Sequence, residues 1–146
     1  MYFDNDYKFI ALLNKKKDLP SLMNALGHMA AGLVAQCCAA TVESMHFVRY
    51  EDAEQGIHSM ISKYPFIILS AKNGNQIRSL RQSAIESGIP YTDFVDTMIG
   101  RSADEQLQRT ACTPESDLEY FGICLFGPAE DLDRLTRRFS LFTRSE

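Results

Sequence analysis

Lys8-Phe9-Ile10-Ala11-Leu12-Leu13-Asn14, the turn Lys15-Lys16-Lys17-Asp18, and the run from Leu19 to Ala40 decide how this chain folds. The first piece is a near-continuous apolar run of strand length, the pattern of a strand covered on both faces. The lysines break it. Pro20 suits the first turn of a helix, where its missing N–H has no partner to lose. From Leu19 to about Cys38 the spacing is helical, and Leu22, Leu26, Met29 and Leu33 form one apolar stripe. A buried strand running into such a helix predicts layered α/β architecture.

The rest of the chain extends that pattern. Tyr64–Ala71 is the strongest strand signal, and His46–Tyr50 is a weaker one before it. The polar segment 51–63 around Gly56 reads as a turn or irregular excursion. Asn73 or Asn75 caps a helix over Gln76–Ser87, with Ile77, Leu80 and Ala84 inward and Gly88 as its stop. Ile89–Met98 and Glu119–Phe126 read as strands, with a short helix within 99–111 between them. Thr113-Pro114 starts another short turn, and Ala129–Phe139 closes as a helix. Long helices between strands argue for parallel crossovers, and the order as a whole predicts a three-layer α/β/α fold with a mixed sheet of four to five strands. Strands 46–50 and 64–71 could pair antiparallel within it.

With 146 residues, 45% apolar and 23% charged, the chain is expected to form one domain over 1–146 with its core at about 8–142. A net charge of −4 does not supply the field of a general nucleic-acid binder. The opening Met1-Tyr2-Phe3-Asp4-Asn5-Asp6 does not read as a signal peptide, and no apolar run is long enough for a bilayer. A cytoplasmic location without membrane association is therefore expected. Cys37, Cys38, Cys112 and Cys124 show no Cys-x-x-Cys spacing, and no histidine stands at ligand spacing from them. Reduced, mostly buried thiols are expected, with no metal and no cofactor.

Candidate chemistry gathers on the first helix. Ser21, Asn24 and His28 share one face, which continues into the small residues Ala31, Gly32 and Ala35. That face could floor a site with His28 as acid, base or anchor. It could equally be a tightly packed helix with one satisfied histidine, or a surface on which a second copy packs into a homodimer. Lys15, Lys16 and Lys17 lie where strand ends and helix N-termini receive phosphates or carboxylates, or form a solvated turn. Lys8 opens the first strand, its stem along the core and its ammonium at the rim. Asp93 and Asp96 face opposite sides of an extended strand, so they make a poor carboxylate pair. Asp96 with Thr97 at the strand end is the better candidate, against a reading as turn caps.

Lys8–Asn14, the alanine-rich helix with His28, Phe66–Ala71 and Ala84-Ile85-Glu86-Ser87-Gly88-Ile89-Pro90 together resemble peptidyl-tRNA hydrolase of the second type. Gly127-Pro128 and Thr136–Phe142 extend the likeness. Ala30-Ala31-Gly32-Leu33, Tyr64–Leu69 and Tyr120–Pro128 more closely resemble a bacterial family of small uncharacterised proteins sharing that fold. The resemblance implies a mixed sheet between helices and a site beside the first helix. Residue by residue it maps Lys8, His28 and Asp96 onto the hydrolase's lysine, histidine and aspartate. Three motif positions differ. Pro20-Ser21-Leu22 replaces a Gly-Lys pair, Ala25 replaces a glutamine, and Thr97-Met98-Ile99-Gly100 replaces a Gly-x-Thr-Gln signature, followed by an inserted segment at 101–117.

The expected function is thus a ligand- or protein-binding module on the hydrolase scaffold without the hydrolytic signature. Lys15, Lys16, Lys17, Ser21, Asn24 and Thr97 are its expected ligand groups. The alternative is a hydrolase for a peptidyl-tRNA-like or other small ester, with Lys8, His28 and Asp96 catalytic. An open cleft gathering those three favours the enzyme. A His28 sealed beneath 101–117 favours a structural or binding role.

Overall fold

Tyr7–Asn14 (β1) is the central strand of a five-stranded mixed sheet in the computed structural model, which describes residues 2–143. Phe66–Ala71 (β4) pairs with it in parallel and Tyr120–Pro128 (β6) antiparallel. Tyr91–Val95 (β5) forms one edge beyond β6, and Ser140–Leu141 (β7) the other beyond β4, both antiparallel. The sheet is mixed, as expected, and among the described residues β1–β4 is its one parallel pair. Strand β6 starts at the end of the sheet where β5 stops, with the Asp96 N–H donating to Glu119 O at 3.0 Å. The chain therefore turns back beside β5 rather than crossing over the sheet.

Phe47–Glu51 (β2) and Ile57–Ser62 (β3) form a separate antiparallel hairpin. This overturns two expectations: β2 does not pair with the strand at 66–71, and the segment 51–63 is not merely irregular. The hairpin closes locally around Asp52, whose carboxylate accepts the Glu54 and Gly56 N–H groups at 2.9 Å each. Local closure of this kind sets a two-stranded register without help from the main sheet.

Leu19–Gln36 (α1) covers one face of the sheet through Leu22, Ala25, Met29 and Leu33, packed on Phe9, Leu13, Phe94 and Phe121. Asp18 caps it, accepting the Ser21 N–H. It ends at Gln36, short of Cys38, and a second short helix, Ala39–Ser44 (α2), follows the extended Cys37-Cys38 joint. At that joint Cys38 is exposed and Cys37 half-buried; Cys112 is exposed too, so only Cys124 meets the expectation of buried thiols.

Gly74–Ser87 (α3) and Ala129–Thr136 (α5) cover the opposite face, on Ile10, Leu12, Val95, Ile123 and Leu125. Asn73 caps α3, and Gly88 ends it at φ 67°, a left-handed conformation that glycine enters without penalty. Ala103–Ala111 (α4) lies between β5 and β6 and packs on a single 3-10 turn, Asp96–Met98. The observed class is thus mixed α/β, a five-stranded sheet between helices.

Candidate functional site

Because side chains alternate along a strand, β5 serves two environments. Thr92 and Phe94 face α1; Tyr91, Asp93 and Val95 face α3. The Thr92 hydroxyl donates to Met29 O at 2.7 Å, tying the edge strand to the middle of α1. Phe94 is buried against Phe121, with ring centroids 5.8 Å apart. His28 is stacked on Phe94 with ring centroids 6.2 Å apart, its plane within 26° of parallel.

Between α1, β5 and the start of α4 runs a cleft of about 480 Å³, bordered by Asn24, His28, Met29, Phe94, Ile99 and Gln106 among others. Asn24 and His28 are exposed, and neither makes a side-chain hydrogen bond among the described residues. Gln106 donates weakly to Gly100 O at 3.3 Å, which leaves its Oε1 free as an acceptor. The Arg109 guanidinium fixes the lip by donating to Ile99 O at 2.6 Å. A second hollow of about 560 Å³ continues along β5 past Pro90 and Tyr91, where the Gln36 amide donates to Tyr91 O. The site is an open groove along a free sheet edge. Its polar groups are the Asn24 and Gln106 carboxamides and the His28 imidazole, with Thr92 and Asp93 at the border already bonded to Met29 O and Arg81.

Asn24 and His28 are the expected site residues that the fold brings together. His28 is not sealed beneath 101–117; α4 forms the far wall of its cleft. Lys8 lies elsewhere: its ammonium pairs with Asp133 of α5, on the opposite face of the sheet. Asp96 is engaged with the chain, its carboxylate accepting the Glu119 N–H at 2.9 Å. Thr97 is buried and shares a 2.7 Å hydrogen bond with the Thr110 hydroxyl. The Ser21 hydroxyl donates to the capping Asp18 carboxylate.

The lysine turn borders a separate hollow of about 750 Å³ at the β7 edge, to which Lys15 and Lys17 contribute. Lys17 there pairs with Glu119 and sits 4.8 Å from the Phe121 ring centroid. Lys16 uses its backbone N–H on Asn14 Oδ1.

On the α3 side, polar groups satisfy one another. Arg81 Nε donates to Asp93 Oδ2 at 3.0 Å, and Arg78 Nε to Glu115 Oε1 at 2.9 Å, an oxygen that also accepts the Tyr120 hydroxyl. Burial pushes the Asp93 carboxyl up against the opposing pull of Arg81. Burial and the Glu115 hydrogen bond push the Tyr120 phenol up to about 12.

Sequence reasoning passed over Phe94, Gln106 and the Arg81–Asp93 pair. Phe94 carried a signal, since it lies two residues from Thr92 on the same face. Gln106 carried none, because α4 reaches the cleft only through tertiary folding.

A family model described as a protein of unknown function, DUF2000, matches residues 7–143. The chain belongs to the DUF2000 family. Among solved structures, a protein of unknown function from Agrobacterium tumefaciens strain C58 is similar, with a TM-score of 0.77 and 17% identity. The match covers 94% of this chain and 98% of that one. At that identity the likeness is one of fold. No match was found among curated proteins. Among the described residues no three His, Cys, Asp or Glu side chains gather as a metal site, and no helix is long and apolar enough to cross a membrane.

Proposed function

We propose that this DUF2000 chain is a binding module on a peptidyl-tRNA hydrolase II-like scaffold. Its site is the α1–β5 cleft, and its ligand is a small molecule with a planar, hydrogen-bonding group. The observation that carries this reading is the state of His28: open to the cleft, stacked on Phe94 and with no carboxylate partner among the described residues. A histidine that moves protons in hydrolysis is oriented by a third group and works beside a charge-stabilising one. Here Asp96 holds Glu119 and Lys8 holds Asp133, so both are committed to the fold. The missing Gly-Lys and Thr-Gln motifs point the same way. Asn24 and Gln106 can both donate and accept, which suits an amide or heterocycle edge, and Phe94 with His28 offers a stacking surface.

The test is an NMR titration of the His28 imidazole and the Asn24 and Gln106 amides with nicotinamide, cytidine and N-acetylphenylalaninamide. At least one probe should shift all three residues saturably, and Asn24→Ala with His28→Ala should weaken it about tenfold or more, the loss expected for a hydrogen bond and a stacking contact. If no probe moves them, the binding reading fails. The competing reading, a hydrolase of peptidyl-tRNA or a simple ester, gains if wild type turns over such a substrate and His28→Ala does not.

A further inference from the structure

The β2–β3 hairpin projects from the protein with both strands exposed, outside the five-stranded sheet. Val48 stands opposite Ile61, and Tyr50 lies two residues along the same face, so three large apolar groups form one uncharged surface. Tyr50 is 50% exposed and Ile61 54%, whereas Ile57 and Met60 stand opposite Glu51 and Arg49 on the other face. An isolated two-stranded hairpin is marginal in water, and an apolar face left on one is a surface that wants a cover.

The charge along the hairpin identifies the cover. Its tip is acidic, with Glu51, Asp52 and Glu54, and Lys63 stands at the root, while Arg49 lies on the face opposite Val48 and Tyr50. The Asp52 carboxylate is spent on the turn and on His58, and Glu51 lies with Arg49 on the other face, which leaves Glu54 as the tip's free carboxylate. A second hairpin laid antiparallel on the first sets each acidic tip over the other's basic root and each Val48–Ile61 pair over its equivalent. One element carries both halves of the complement, as an isologous two-fold interface requires.

We infer that the β2–β3 hairpin is a homodimerisation arm whose Val48–Tyr50–Ile61 face packs antiparallel on the same face of a second copy. The arm lies apart from the α1–β5 cleft and does not depend on how that cleft is used. The experiment is sedimentation velocity of the full chain across a dilution series, with circular dichroism as the check on folding. Wild type should approach twice the 16.5 kDa chain mass. Ile61→Glu and Val48→Lys, both on exposed positions, should each sediment as folded monomers. Glu54→Lys should weaken the dimer about tenfold, the scale of one interfacial charge pair, and adding Lys63→Glu should restore it. A wild type that stays monomeric overturns the inference and leaves the face to some other partner. A dimer that survives both Ile61→Glu and Val48→Lys overturns it as well, because the contact then lies elsewhere.

Discussion

The two faces of β5 use their polar groups in opposite ways. Toward α3, Asp93 is paired with Arg81, and the neighbouring Tyr120, Glu115 and Arg78 close a network in which donors meet acceptors within the protein. Toward α1, Asn24 and His28 stand over a groove with their hydrogen-bonding capacity unspent. Buried polar groups must be satisfied internally, whereas exposed ones are free for a ligand. The presence of polar residues therefore does not mark a site; their lack of protein partners does.

Substitutions along β5 can break this contrast. Phe94→Ala removes the platform shared by the core and the cleft, and should cost about 3 kcal/mol or more in urea unfolding while abolishing probe binding. A loss under about 1 kcal/mol would mean that Phe94 is not part of the packed core. Asp93→Ala should cost about 1–2 kcal/mol, a figure held down because the pair is partly exposed, with a smaller loss of affinity than His28→Ala, since Asp93 borders the cleft but spends its carboxylate on Arg81. His28→Ala should do the reverse, shifting stability by no more than about 0.5 kcal/mol while removing ligand response.

Two titrations sharpen the picture at smaller amplitude. Tyr120 holds its proton more tightly folded than unfolded, so the folded state binds the extra proton between pH 10 and about 12. Its contribution to stability is complete below pH 10 and declines as pH rises through that window, and Tyr120 should be the late-ionising phenol in a spectrophotometric titration. Tyr120→Phe should remove that late phase. Among the thiols, Cys38 is exposed and its pKa is lowered by its hydrogen bond with Thr41, whereas burial pushes Cys124 up to about 12. A thiol reagent should label Cys38 early and Cys124 only on unfolding. Simultaneous labelling would contradict the described packing.

Much of the architecture could be read from residue patterns, because its signals are local. The apolar runs at β1 and β4, the Asn73 cap with its Gly88 stop, and the α1 stripe each declare themselves within a few residues. Strand β3 did not, since Ile57-His58-Ser59-Met60-Ile61-Ser62 mixes polar and apolar residues on an arm that no core covers. Sheet order was hidden for a related reason: parallel or antiparallel entry into β6 depends on where the 99–119 excursion returns the chain. The site divided along the same line. Asn24 and His28 share a helix face that spacing alone defines. The commitments of Lys8 to Asp133 and Asp96 to Glu119 join residues 125 and 23 positions apart, beyond the reach of any local pattern.

On the proposed reading, the cleft's imidazole holds a ligand and does not relay protons. Single-turnover incubation of wild type and His28→Ala with peptidyl-tRNA tests this most directly. Release no faster than in buffer is expected for both proteins. Rapid release by wild type that disappears in His28→Ala would contradict it.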